Sequence, residues 1–359
     1  MKDIRKISVY DTLVVYYFSG TGNALKAARW LADRASEYGM EVHLHSIDRF
    51  EKVTPPELNG KTLIVFCYPT HGFNLAPIMM KYIAKFPRGK SGVVTLNTRG
   101  GLKFGKIYFP GLSGVAQLLP MFLLLLKGYK IKGSLPFDMP SNWISIHPGL
   151  TDSASGEISR RRERQIGMFA ERLFEKGRAF SYKFFVYLPL DIAVAPITIG
   201  YYFCGRFIFA KSFYASADCN DCRLCVEKCP TNSIVLVGKR PFWRYTCESC
   251  MRCIGICPSK SIQTAHSFVI PMMYLFSLIP VTAAALNILG LPADGILQDV
   301  LIRVINWVSV FLFLIAGYFI FAQLLRVKFI NRFFEYTSLT RYWKRYIASG
   351  MKLRDFGTK

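Results

Sequence analysis

The stretch Leu13-Val14-Val15-Tyr16-Tyr17-Phe18-Ser19-Gly20-Thr21-Gly22-Asn23 decides the architecture of the first half of the chain. Leu13–Phe18 is a continuous apolar run bounded by Asp11 and Ser19, the pattern of a buried strand. Ser19–Asn23 is short, glycine-bearing and hydroxyl-rich. It runs into a segment with Ala24, Ala28, Leu31 and Ala35 on one helical face and Gly39 as its stop. Strand, glycine loop and helix in that order aim backbone N–H groups and a helix N-terminus at one spot, which suits a phosphate. The loop is neither G-x-G-x-x-G nor G-x-x-x-x-G-K, so a monophosphate fits it better than a dinucleotide or a triphosphate.

Outward from this unit the alternation continues. Val42–Ser46, Lys61–Cys67, Gly92–Leu96 and Tyr129–Phe137 read as strands. Ile78–Phe86 and Glu157–Gly177 read as helices, the second with Ile166, Phe169, Ala170 and Leu173 inward. Strands alternating with helices predict an α/β, doubly wound parallel sheet with its ligand at the carboxyl ends of the strands. Cys67 and Cys204 stand alone in apolar runs and read as small core residues.

The other eight cysteines form two identical arrays, Cys219-x2-Cys222-x2-Cys225-x3-Cys229-Pro230 and Cys247-x2-Cys250-x2-Cys253-x3-Cys257-Pro258, offset by 28 residues at every cysteine. This is an internal duplication. Zinc usually takes two separated pairs of ligands, which triple C-x-x-C-x-x-C runs fit poorly. Disulfides are not expected in a cytoplasmic module.

Two resemblances follow from these residues. The arrays resemble those of bacterial two-cluster ferredoxins over about residues 217–264. That resemblance implies two [4Fe–4S] clusters, with the fourth cysteine of each run serving the other cluster. One cluster would then take Cys219, Cys222, Cys225 and Cys257, and the other Cys247, Cys250, Cys253 and Cys229. Residues 11–178 resemble a flavodoxin: Phe18-Ser19-Gly20-Thr21-Gly22-Asn23 is similar to the loop that holds the FMN phosphate. Tyr68-Pro69-Thr70-His71-Gly72-Phe73-Asn74 and Asn97-Thr98-Arg99-Gly100-Gly101 lie where flavodoxins hold the isoalloxazine ring. The resemblance therefore implies FMN held by Ser19, Gly20, Thr21, Gly22 and Asn23, and by Tyr68, Thr70, His71, Gly72, Phe73, Asn97, Arg99, Gly100 and Gly101. Within that set, Tyr68 and Phe73 either stack on the ring or pack beneath it. His71 either bonds the ring or caps its loop. Arg99 either stabilises a reduced, anionic flavin or is surface charge. Backbone N–H groups of Gly72, Gly100 and Gly101 suit close approach to a ring. Ala24 stands where many flavodoxins carry a phosphate-binding Thr. The order of the two modules resembles a prokaryotic flavodoxin–ferredoxin fusion family, whose final sheet loop Met139-Pro140-Ser141-Asn142-Trp143 fits.

The last third reads as membrane-associated. Thr264–Ala293 holds no Asp, Glu, Lys or Arg over 30 residues, and Val304–Leu325 none over 22. Each exceeds the ~20 residues that cross a bilayer core. The connection between them carries Asp294 and Asp299, whereas the tail from Arg326 carries nine Lys/Arg, so the positive-inside rule predicts a hairpin with its tail in the cytoplasm. Met1–Asp11 is charged and Thr12–Phe18 is too short for a secretory signal, so the first domain is also expected in the cytoplasm. Phe184–Gly205 carries Asp191, Pro189 and Pro196 and reads as interfacial or re-entrant. Ile107–Leu126 reads as an unusually apolar helix that touches lipid. The expected domains are thus 1–178 flavodoxin-like, 179–215 apolar linker, 216–265 two-cluster ferredoxin, 266–325 two transmembrane helices, and 326–359 a basic, aromatic tail at the membrane surface.

With 46 Lys/Arg against 23 Asp/Glu, the net charge of +23 calls for an anionic partner. The apolar spans make anionic membrane lipid a simpler partner than nucleic acid. Together these features predict a multi-pass membrane protein that relays electrons between FMN, two [4Fe–4S] clusters and unidentified donor and acceptor proteins. The alternatives are a flavin-dependent reductase of quinone or another small oxidant, and a non-catalytic iron–sulfur subunit or redox sensor.

Overall fold

The structure is a computed structural model that describes residues 7–50, 61–271 and 296–357. Its first half is built on a sheet whose main path runs β2 (Glu41–Ser46), β1 (Thr12–Tyr17), β3 (Thr62–His71), β5 (Gly92–Phe104), β7 (Lys130–Pro140) and β8 (Ala179–Phe180). Every pairing along that path is parallel. The short β4 (Asn74–Leu75) and β6 (Ile107–Phe109) pair antiparallel with the carboxyl ends of β3 and β5. Order 2-1-3 followed by later strands puts the switch point beside β1, so the loop after β1 opens into the crevice at the carboxyl ends.

The helices α1 (Asn23–Glu37) and α4 (Asp152–Lys176) share one core layer with Leu13, Val15 and Leu63. On the other face α2 (Pro77–Lys85) packs with Val14, Ile64 and Phe66. β1 and β3 bury alternate residues on opposite layers, which is why Leu13–Tyr17 and Leu63–Tyr68 are continuous apolar runs.

Two sequence expectations need correction. Asn97–Gly101 is not a loop but the continuation of β5, paired from Asn97↔Pro136 to Gly101↔Pro140. Ile107–Leu126 is not one helix. It divides into β6, a turn, a 3-10 turn at Gly114–Ala116 and the helix α3 (Leu118–Leu126). Its apolar character comes from three short elements, with Phe122, Leu125 and Leu126 left exposed.

The cysteine module has an antiparallel hairpin of β10 (Ile234–Val237) and β11 (Arg240–Trp243), and a second pair of β9 (Phe213–Ala215) with β12 (Ile262–Thr264). Between the two modules, α5 (Tyr182–Ala193) and α6 (Ala195–Gly200) form an apolar unit. Its parts Phe184–Ala193 and Ala195–Phe203 meet at 63° and together have the length and composition of a broken span or a re-entrant loop. Among the described residues no single helix is long and apolar enough to cross a membrane. Most of the first charge-free run, residues 272–293, lies outside the described residues. The second, apart from its last residue Leu325, lies within the helix Ile296–Leu324.

The tail does not lie free at a surface. Tyr346, Ala348 and Phe356 are buried against the two modules, whereas Phe329, Phe333 and Tyr336 of the preceding helix Lys328–Thr337, and Tyr342 after it, point outward.

Candidate functional site

The loop after β1 turns sharply at Gly22, whose φ of 100° is open to glycine at little cost. A polar crevice lies against it, lined by Ser19, Gly20 and Thr21 on one side, by Thr70, Arg99 and Asn142 on the other, and by Thr98 and Gly100 between. Asn142 Nδ2 donates to Thr21 Oγ1 at 2.7 Å, and Asn23 Nδ2 to the carbonyl of Pro140 at 2.9 Å, so the β7 turn braces the loop. Ser19 Oγ and Arg99 Nη1, both lining this crevice, are buried without a protein partner. Buried polar atoms are seldom left unpaired, so two of them facing one crevice fit an oxygen-rich ligand such as a phosphate ester. The remaining donors of Arg99 hold Asp138 at 2.9 and 3.2 Å, and its plane lies 4.9 Å from the centre of Tyr187.

The ring residues divide. Thr70, Arg99 and Gly100 line the crevice, while Gly101 packs on Asp138 and Tyr108. Tyr68 is fully buried, packs in the core and donates to the carbonyl of Ala116 at 2.8 Å. Arg99 is not surface charge, being 2% exposed. Asn97 Nδ2 bridges Thr70 Oγ1 and Ser113 Oγ. His71 stacks edge-on against Phe18, and burial pushes its imidazole down to about 4. Phe73 carries a φ of 62° and packs on Gly114. Gly72 is covered by the ring of Tyr201, where a Cβ would meet Tyr201 Cγ at 2.0 Å. That face of the loop is filled by the chain itself, while Pro69, Thr70, Thr98 and Gly100 border the polar crevice.

The eight array cysteines gather around two cavities. One is lined by Cys219, Cys222, Cys225 and Cys257, the other by Cys229, Cys247, Cys250 and Cys253. This is the cross-shared division that the ferredoxin resemblance implies. Among the described residues no group of three or more His, Cys, Asp or Glu has the arrangement for a single metal ion. A cubane makes a different demand, one thiolate per iron around a cavity, and both cavities offer four thiols around a centre. The backbone repeats the duplication. Left-handed residues Asp221, Arg223 and Asn232 recur 28 positions later as Ser249, Met251 and Lys260, with φ between 49° and 62°. Non-glycine residues rarely adopt this conformation, and its recurrence at matching positions shows that the two loops follow one backbone path. Two amides also donate to sulfur, Ser233 N to Cys229 at 3.2 Å and Ser249 N to Cys247 at 3.4 Å. Burial pushes the Cys225 and Cys250 thiols up to about 12, so charged sulfur there needs a cation beside it.

The two sites touch. A Cβ on Gly20 would lie 2.3 Å from the carbonyl oxygen of Cys250. Arg252, 2% exposed, donates to the carbonyls of Ser19 at 2.7 Å, Gly20 at 3.1 Å and Lys228 at 2.9 Å, and pairs with Asp48 at 2.5 Å. Arg49 donates to the carbonyls of Cys229 and Val226, both at 2.9 Å. From the tail, Ala348 N donates to the carbonyl of Thr21 at 2.8 Å and Tyr346 Oη to Asn23 Oδ1 at 2.6 Å. Asp48, Arg252, Tyr201 and Tyr346 were invisible to motif reading, because they act on residues more than a hundred positions away and belong to no spaced pattern.

The chain carries a flavodoxin-like domain: the flavodoxin family matches residues 15–94. Among solved structures, the chain is similar to a flavodoxin from the domain Archaea, at 16% identity and a TM-score of 0.29, over 45% of this chain and 99% of that one. Flavodoxin 1 from Bacillus cereus is 14% identical with a TM-score of 0.28, over 43% and 96%. Rubredoxin oxygen:oxidoreductase from Desulfovibrio gigas is 14% identical with a TM-score of 0.27, over 46% and 37%. No curated protein matches the chain. The flavodoxin-like fold implies FMN binding, and the crevice with its two unpaired polar atoms fits the phosphate end of that group.

Proposed function

We propose that this chain is a membrane-attached electron-transfer protein that links FMN and two [4Fe–4S] clusters to a redox partner at the membrane. When bound, FMN supplies one- or two-electron chemistry and each cluster one-electron chemistry. The chain's own residues would hold these groups in neighbouring sites. Ser19–Asn23 and Arg99 take the phosphate, and the eight array cysteines take iron. Arg252, Arg49 and the tail fix the interval between them. The observation that carries the reading is the direct packing of Gly20 on Cys250, which sets the phosphate loop against a cysteine cavity with no intervening layer.

Membrane attachment is supported by apolar surface that the described protein leaves uncovered: Phe185, Val186 and Leu190 on α5, Ile197 and Ile199 on α6, and Phe329 and Phe333 beyond the helix Ile296–Leu324. We assign the flavin and cysteine modules to the cytoplasmic side, since the basic tail packs on both of them. Anaerobic purification in detergent tests the relay. It predicts about eight irons, with matching sulfide, and one FMN per chain, two cluster signals by EPR, and reduction of those signals when the flavin is photoreduced. Zinc without sulfide, or clusters left oxidised beside reduced flavin, would overturn it.

A further inference from the structure

A cavity of about 280 Å³ lies between the cysteine module and the helix Ile296–Leu324, away from the flavin crevice. Its walls are aromatic, with Phe213 and Tyr214 of β9, Phe242 of β11, and Tyr318 and Phe319 of the long helix. Polar donors border the same space, namely Arg240, Gln323 and Arg326. Arg240 is anchored by its bond to the carbonyl of Ala215 at 3.2 Å, so its guanidinium has a fixed place on the wall. The size approaches the lower end of the ~300–1,000 Å³ usual for small-molecule sites, and apolar walls with a few fixed polar groups are their usual lining.

The position of the cavity narrows the ligand. Pro241 is shared with the cavity of Cys219, Cys222, Cys225 and Cys257, and Phe213 with the cavity of Cys229, Cys247, Cys250 and Cys253. A molecule seated here is therefore one side chain from each cysteine set. The remaining wall is the last part of the charge-free run Val304–Leu325, so the approach is from an apolar segment. Flat aromatic walls suit a ring, and arginine and glutamine N–H groups suit carbonyl oxygens on that ring.

We propose that this cavity binds the head group of a lipid-soluble quinone, with its carbonyls toward Arg240, Gln323 and Arg326. The choice of a quinone rests on the relay proposed above; the cavity itself does not. The test uses the full chain in detergent with a short-chain azido-quinone as photolabel, followed by peptide mapping. Saturable labelling is expected in the segments containing Phe213–Ala215, Arg240–Phe242 or Tyr318–Arg326, displaced by 2,3-dimethyl-1,4-naphthoquinone. Ala322→Trp, which fills the cavity, should lower labelling at least tenfold. Gln323→Leu keeps the size, removes a donor, and should weaken displacement severalfold, which covers the case of an Ala322→Trp chain that fails to fold. Labelling elsewhere, or labelling untouched by both variants, would overturn the site. So would displacement by phosphatidylglycerol and not by the naphthoquinone, which would make the cavity a phospholipid seat. Iron and EPR analysis of the same preparation separates the two ideas: clusters without labelling remove the quinone site, and labelling without clusters removes the relay.

Discussion

At the scale of the residue, Arg252 shows how a single side chain joins the two modules. Its guanidinium is held by the Asp48 carboxylate and by three carbonyls, all inside the protein. Removing one partner of such a pair leaves the other charge buried and uncompensated, at a cost of about 3–5 kcal/mol. Arg252→Met should lower unfolding stability by that order. Adding Asp48→Asn should return a good part of it, read as a positive coupling in a double-mutant cycle of urea unfolding. Equal losses in single and double variants would mean that the carbonyl bonds, and not the ion pair, carry the junction. His71 makes a prediction of opposite character. Its folded value near 4 lies below the unfolded value of ~6.5, so the unfolded chain binds the proton first as pH falls. Stability contributed by the neutral ring is full above about pH 6.5 and is lost toward pH 4. His71→Phe should flatten stability over that window, and an unchanged slope would place the acid sensitivity elsewhere.

At the scale of the element, the helix Lys328–Thr337 has two unlike faces. Asn331 and Glu335 are buried, with Asn331 Nδ2 donating to the carbonyls of Ala215 and Leu325 at 3.1 Å, whereas Phe329 is 82% exposed and Phe333 54%. Apolar residues four apart on an outward face, among basic neighbours, suit the headgroup boundary of a bilayer. Phe329→Glu with Phe333→Glu should weaken flotation of the purified chain with anionic liposomes while leaving its circular dichroism intact; undiminished flotation would assign contact to α5, α6 or the long helix. Elements of this kind also explain what was legible in the sequence. The unit β1–loop–α1 was readable because burial on both faces makes its strand apolar throughout and the loop must carry glycine. The two cysteine loops were readable because their spacing is local in the chain. Asn97–Gly101 misled, since Gly100 and Gly101 suggest a loop, yet pairing with Met139 and Pro140 extends the strand. For Tyr68 the sequence left stacking and packing beneath the ring equally open, because a tyrosine beside a crevice and one beneath it look alike in sequence.

At the scale of the whole molecule, the tail acts as a strap that closes both junctions. Tyr346 and Ala348 hold the phosphate loop, Arg345 donates to the carbonyls of Ile254 at 2.6 Å and Ile262 at 2.9 Å, and Arg29 pairs with Asp355 at 2.6 Å on α1. The strap therefore spans from the first helix of the flavodoxin-like domain to the cysteine loops. None of this could be read from the tail's composition, which suggests only a basic surface segment, because each contact joins residues roughly ninety to more than three hundred positions apart. Ending the chain after Tyr342 should leave the sheet intact, since β1, β3 and β5 are packed by α1, α2 and α4 without help from the tail. It should loosen the junction instead. Amide exchange is expected to rise at Ser19–Asn23 and around Ile254, by factors reflecting two to three lost hydrogen bonds at ~1 kcal/mol each, while β1 and β3 remain protected. If exchange rose across the whole sheet, the tail would be part of the flavodoxin-like core and not a strap. If it rose nowhere, Arg252 and Arg49 alone would suffice to keep the phosphate loop against Cys250.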